Sequence, residues 1–209
     1  MTRVKICGIT NIEDARLALK LGADELGFNF YAESKRYIEP RDASEIAVGL
    51  PADFRKVGVF VNETIESILR TVDIVGLDAI QLHGDEWHEF VTMLHRATEK
   101  EIIKAVRVST ESDLTRAMNF DAHCILLDSF SKSEYGGTGE QFDWTFAKDA
   151  DVMFPYLYLA GGLTPENVAD AIRTVRPWAV DVASGVESSP GKKDPEKIAA
   201  FVKAAKEAI

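Results

Sequence analysis

Eight short apolar runs of β-strand character recur along this chain, near 3–7, 25–29, 56–61, 77–81, 102–107, 123–128, 156–160 and 178–182, and helix-length stretches separate most of them. Eight units in 209 residues leave about 26 residues each, enough for a strand and its crossover helix. The helices are one-sided. Val168, Ala171, Ile172 and Val175 fall at i, i+3, i+4 and i+7, as do Ile198, Phe201, Val202 and Ala205. Their starts are marked by Thr10-Asn11 with Asp14 behind, Thr110 with Asp113, Thr164-Pro165-Glu166 and Asp194-Pro195-Glu196, which combine side-chain caps, early acids and proline at the first helical position.

Strand and helix alternating eight times without a linker or composition break argue for parallel strands joined by right-handed crossovers. A closed (β/α)8 TIM barrel in a single domain spanning 1–209 uses that count fully. The rival is an open doubly wound sheet, which takes about five to seven strands and usually a glycine-rich first turn. Thirty-four acids against 24 bases give a net charge of -10 and an isoelectric point near 4.9, so the surface repels nucleic acid and anionic lipid. An anionic ligand must then be held by locally placed cations and backbone N–H groups. Two cysteines, Cys7 and Cys124, fit a reduced cytoplasmic protein without a disulfide framework. The start MTRVKICGIT has no apolar signal core, and no run of 18 uncharged apolar residues occurs. No membrane association is expected, and nothing in the sequence sets an oligomeric state.

Alternation along the first strand turns Val4 and Ile6 one way and Lys5 and Cys7 the other. In a barrel the apolar side meets the helices, so Lys5 and Cys7 point inward, with Cys7 at the mouth where barrel enzymes place their chemistry. Asp128 ends the sixth strand in the same way. The seventh and eighth strands end in Ala160-Gly161-Gly162 and Ala183-Ser184-Gly185, where backbone N–H groups and helix N-termini suit a phosphate. The glycines at either strand end also read as plain strand terminators. A third cluster, Gly136-Gly137-Thr138-Gly139, lies in the polar stretch from Ser129 to Gln141, which has the length of an active-site lid.

Strands six and one flank seven and eight around the ring, so Asp128 and Cys7 would stand on either side of a phosphorylated sugar. Cys7 would accept a proton as a thiolate, a form Lys5 favours from about 7 Å along the strand. Asp128 would donate one, which requires it to be partly protonated through burial or neighbouring negative charge. Packing for Cys7 and capping for Asp128 are the bland readings. Arg36 in the second loop has the fork geometry for a carboxylate. His83, Arg107 and Asp181 end strands four, five and eight. His83 and His88 do not form a metalloprotease pair and the cysteines lack zinc spacing, so no metal is expected. His95 reads as a surface residue and Cys124 as a packing residue.

Taken together, Lys5-Ile6-Cys7-Gly8-Ile9-Thr10, Gln81-Leu82-His83-Gly84, Leu127-Asp128-Ser129, Gly136-Gly137-Thr138-Gly139, Ala160-Gly161-Gly162-Leu163 and Ser184-Gly185-Val186-Glu187 resemble the phosphoribosylanthranilate isomerase family over nearly the whole chain. The resemblance implies a cofactor-free Amadori rearrangement of N-(5'-phosphoribosyl)anthranilate to 1-(2-carboxyphenylamino)-1-deoxyribulose 5-phosphate in tryptophan biosynthesis. It implies Asp128 as general acid, Cys7 as the base at C2', and Arg36 as holder of the anthranilate carboxylate. His83 and Asp181 are expected to contact substrate, and Gly137, Gly161, Gly162, Ser184 and Gly185 to bind phosphate. The chain departs from the family pattern at Lys35, often proline there, and at Ala183, often serine.

Two other readings remain open. A related barrel such as an aldolase or indoleglycerol-phosphate synthase would need other chemistry, and Lys104 on the fifth strand is the Schiff-base candidate by position. A phosphosugar-binding module would keep loops seven and eight without the acid and base.

Overall fold

The computed structural model describes residues 1–51, 53–108, 110–129, 144–148 and 150–208. Eight parallel strands close into a barrel in sequence order: β1 (Arg3–Cys7), β2 (Glu25–Asn29), β3 (Arg55–Phe60), β4 (Ala79–Leu82), β5 (Glu101–Val108), β6 (Cys124–Ser129), β7 (Leu157–Leu159) and β8 (Ala179–Val182). Closure comes from β8 pairing with β1, in a register that sets Lys5 opposite Asp181. The helices are α1 (Ile12–Lys20), α2 (Pro40–Val48), α3 (Ile65–Val75), α4 (His88–Ala97), α5 (Glu111–Ala117), α6 (Ala150–Met153), α7 (Val168–Val175) and α8 (Pro195–Lys206). A small hairpin, β9 (Glu187–Ser189) and β10 (Lys192–Lys193), follows β8. Among the described residues no helix is long and apolar enough to cross a membrane.

Each of the eight expected strands forms, with ends displaced by a residue or two. Period-two alternation sorts their side chains into two cores. Val4, Ile6, Leu26, Phe28, Ile80, Leu82, Ile125, Leu127 and Val180 point outward and pack against the helices. Val57, Ala79, Ile103, Ala105, Leu126, Tyr158 and Ala179 fill the cylinder itself. On α7 the four periodic residues are fully buried, so truncating Ile172 to alanine would cost about 2–5 kcal/mol.

Three of the four expected helix starts are capped as their sequences require. The Asn11 side chain accepts from the Asp14 N–H, Thr110 and Asp113 form a reciprocal capping box, and Asp194 accepts from Glu196 and Lys197 ahead of Pro195. The fourth is corrected. Asn167 ties its side chain back to the Thr164 N–H and the Gly162 carbonyl, so Thr164-Pro165-Glu166 makes a turn and regular helix begins at Val168.

Candidate active site

Inward-facing residues at the C-terminal ends of β1, β4, β6 and β8 form one buried polar chain. The Lys5 ammonium, fully buried, donates to Asp181 Oδ2 at 2.9 Å and to Gln81 Oε1 at 2.9 Å. Gln81 Nε2 lies 2.7 Å from His83 Nδ1, and His83 Nε2 lies 3.0 Å from Asp128 Oδ2. Cys7 stands above Lys5 on the same strand, its thiol directly over β2. The neighbouring Gly27 is glycine for that reason, since a Cβ there would come within 2.8 Å of the sulfur. The thiol and the Asp128 carboxyl thus belong to one connected cluster across the mouth, built by strand parity and closure of the barrel.

Electrostatics at Cys7 correct one expectation. Burial pushes the thiol above its ordinary value, and Asp181 adds to that, while Lys5 and Lys193 oppose it. Lys5 does favour the thiolate, but desolvation outweighs it. Burial works against the Lys5 charge as well, yet the Asp181 carboxylate bonded to it holds the ammonium charged.

A second cluster sits beside the first. Arg36 places Nε and Nη2 2.8 and 2.7 Å from the two oxygens of Glu187, a bidentate pair. Glu187 Oε1 also accepts from Lys193 Nζ at 2.9 Å, and that ammonium reaches the Cys7 carbonyl at 2.6 Å and the Ala183 carbonyl at 3.2 Å. Burial alone would raise Glu187, but Arg36 and Lys193 hold it below the ordinary carboxylate value. The backbone N–H of Lys193 donates to Asp14, so the hairpin is fastened to the cap of α1. Arg36 and Lys193 against Glu187 leave two cations for one anion beside the mouth.

Sequence reasoning singled out neither Glu187 nor Lys193 for a role. In Gly-Lys-Lys-Asp-Pro, Lys193 looks like an exposed charge ahead of a helix cap, and only the tertiary fold buries it. Gln81 was legible in principle. It shares β4's inward parity with His83.

Loops seven and eight meet at the mouth. Gly161 and Gly162 have φ of 84° and 65°, a left-handed backbone in which glycine is at home. Ser184–Val186 form a turn of 3-10 helix after β8. Gly185 lies so close to the neighbouring loop that a Cβ would fall 1.9 Å from the Leu163 carbonyl oxygen. Gly137 and most of the Ser129–Gln141 stretch, from Phe130 onward, lie outside the described residues.

Lys104 is corrected in direction. Its pairing with the outward-facing Leu82 turns it away from the barrel interior, where Nζ bonds Glu86 Oε2 at 2.7 Å and the Gly84 carbonyl at 2.8 Å. A Schiff-base lysine opening on the cylinder is therefore not what β5 provides. Arg107, one residue before the end of β5, bonds Asp85 at 2.7 Å. Cys124 packs inside the barrel floor, and half-buried His95 pairs with Asp121.

A model of the family "N-(5'phosphoribosyl)anthranilate (PRA) isomerase" matches residues 4–204. The chain belongs to this family. Among curated relatives, N-(5'-phosphoribosyl)anthranilate isomerase of Thermotoga maritima is 53% identical over 206 residues, 99% of each chain. That of Geobacter sulfurreducens is 47% identical over 206 residues, again 99% of each chain. The crystal structure of phosphoribosyl anthranilate isomerase from T. maritima superposes with a TM-score of 0.91 at 50% identity, over 99% of each chain. One from Thermus thermophilus gives 0.89 at 35% identity, over 100% of each chain. A further isomerase structure, with a TM-score of 0.88 at 50% identity over 99% of each chain, is a complex with reduced 1-(o-carboxyphenylamino)-1-deoxyribulose 5-phosphate. The barrel and its order of strands are thus those of the isomerase family.

Proposed function

We propose that Asp128 is the general acid and Cys7 the general base of this chain's isomerase reaction, the Amadori rearrangement of N-(5'-phosphoribosyl)anthranilate in tryptophan biosynthesis. The observation that carries the assignment is the single buried cluster joining both residues through Lys5, Gln81 and His83. Asp128 gives its proton to the ring oxygen as the C1'–O bond breaks, and the anthranilate nitrogen lone pair forms the C=N bond of a cationic Schiff base. Cys7 then takes the C2' proton, and the C–H electron pair becomes the C1'=C2' bond of an enolamine. Loss of the O2' proton and protonation at C1' give the ketone. Protons move and no external electron carrier is consumed.

The raised thiol at Cys7 fits this order of events. Burial favours the protonated sulfur. A cationic Schiff base arriving over the sulfur would favour the thiolate, so the base is strengthened when the acidic C–H is in place.

Arg36 would take the anthranilate carboxylate. Its guanidinium plane is fixed by Glu187, and Lys193 supplies the second cation that an additional anion requires. The phosphate would lie at Gly161 and Gly162 on one side and Ser184 and Gly185 on the other. Asp181, whose Oδ1 is buried without a hydrogen-bond partner, offers an acceptor for a sugar hydroxyl. The phosphorylated ligand of the solved relative matches that combination of anion sites.

Purified Cys7→Ala and Asp128→Asn, assayed with the phosphoribosylated substrate by product fluorescence, test the reading. Each is expected to lose about 10²- to 10⁴-fold in kcat. Wild-type turnover by either variant would overturn the role given to that residue, and failure of the parent gene to complement a strain lacking this step would overturn the activity itself.

A further inference from the structure

We propose that His83 is a positioning residue for the acid, locked by Lys5 and Gln81 as the tautomer that donates from Nε2 to Oδ2 of Asp128. The inference rests on the assignment of Asp128 as general acid and adds what holds that carboxyl in place.

An ammonium has donors and no acceptor, so the atom of Gln81 facing Lys5 Nζ at 2.9 Å must be the amide oxygen. The amide nitrogen is then the atom 2.7 Å from His83 Nδ1, and an amide nitrogen can only donate. Nδ1 must therefore be unprotonated. A neutral imidazole without a proton on Nδ1 carries it on Nε2, which points at Asp128 Oδ2 across 3.0 Å. Oδ2 of Asp128 is thus the acceptor, and the acid is held by a donor whose own tautomer is fixed.

Three features support the lock. Lys5, whose charge burial opposes, is kept an ammonium by Asp181, so it does not become an acceptor. The path from Lys5 through Gln81 is almost fully buried, at 0% and 1% exposure, so water does not compete for these bonds. Gln81 and His83, which share one strand parity at the end of β4, and Asp128 on β6 are held on either side of β5 in the closed sheet. Once Asp128 has given its proton away, the Nε2–H remains to stabilise the carboxylate left behind.

The test begins with the wild-type enzyme. With 15N-labelled histidine, two-bond 1H–15N correlations report which ring nitrogen carries hydrogen, and His83→Asn identifies the signal among the four histidines. The expected pattern at neutral pH is the Nε2–H tautomer. An Nδ1–H tautomer or an imidazolium would overturn the proposal without touching the role of Asp128. Two variants then read turnover. His83→Gln keeps an N–H donor near the position of Nε2, whereas His83→Leu removes it. The leucine variant is expected to lose about ten- to a hundredfold in kcat with KM changed little, and the glutamine variant to recover most of that loss. Equal kcat in the two variants would overturn the positioning role. Gln81→Glu, nearly the same shape, places a carboxylate against Nδ1 and draws a proton onto it. Its kcat is expected to fall at least tenfold, and wild-type turnover would refute the lock. If Asp128→Asn turned over at the wild-type rate, the acid assignment would fail and this inference with it.

Discussion

At the floor of the barrel, fully buried Glu25 accepts from Arg3 Nε at 3.1 Å and from the Tyr158 hydroxyl at 2.9 Å, with Arg55 Nη1 3.9 Å away. Arg55 continues to Glu101 at 2.5 Å, and both guanidinium groups lie over the Trp178 ring, at 5.0 and 6.0 Å. At the mouth, in the same cylinder, Lys5 has two acceptors but Asp181 leaves Oδ1 without a donor. Among the described residues that oxygen and the Trp144 indole nitrogen are the buried side-chain polar atoms without a partner. The floor closes its hydrogen bonds on itself; the mouth holds one open, at a cost of about 1–3 kcal/mol. Equal burial and similar residue types therefore serve two ends. A closed network fixes the barrel, and an open one leaves a group for a ligand to satisfy.

The widest separation between the two ends should appear when one charge is removed from each. Asp128→Asn is expected to lower kcat by about 10²- to 10⁴-fold while its urea midpoint stays close to wild type. Glu25→Leu should do the reverse. It strips the partner from buried Tyr158 and from both arginines, so unfolding free energy should fall by about 3–5 kcal/mol, with kcat per folded molecule nearly unchanged. A floor variant that kept its stability but lost turnover would break the division of labour.

How much of this was legible from sequence follows the same line. The strands were readable because alternation and caps are local, and Cys7 and Asp128 were readable because they end strands. Parity on β5 could also have turned Lys104 outward, since Ile103, Ala105 and Arg107 take the inward positions; position along the strand alone could not. What was not legible was register across closure. Lys5 meets Asp181 over 176 residues and Lys193 meets Cys7 over 186, and no local pattern encodes either contact. The late start of α7 was hidden too, because Thr164-Pro165 caps a turn as readily as a helix.

Loop packing at the mouth sharpens the comparison at an intermediate scale. In Gly185→Ala a methyl would overlap the Leu163 carbonyl, so loops seven and eight must part. KM is expected to rise about tenfold or more, with a smaller change in kcat, because the displaced groups are those proposed for the phosphate rather than for proton transfer. An equal fall in kcat at unchanged KM would move those loops from binding to chemistry.

The smallest effect is a titration that compares the two thiols. Cys7 at the mouth should ionise above the ordinary 9.0, since burial outweighs Lys5 and Lys193. Cys124 at the floor is pushed up to about 12 by burial and Glu101. The rate of alkylation by iodoacetamide should therefore rise through a midpoint above 9 at Cys7, and through one near 12 at Cys124. Below about pH 9 both thiols are protonated whether the chain is folded or not, so they leave stability unchanged. Between 9 and about 12 the unfolded chain ionises Cys124 and the folded one does not, so stability falls with rising pH across that window. Removing a cation must move Cys7 further upward, more for Lys5→Met than for Lys193→Met, since Lys5 is the stronger of the two opposing charges. A midpoint that fell in either variant would show that these ammonium groups act on Cys7 through shape rather than charge.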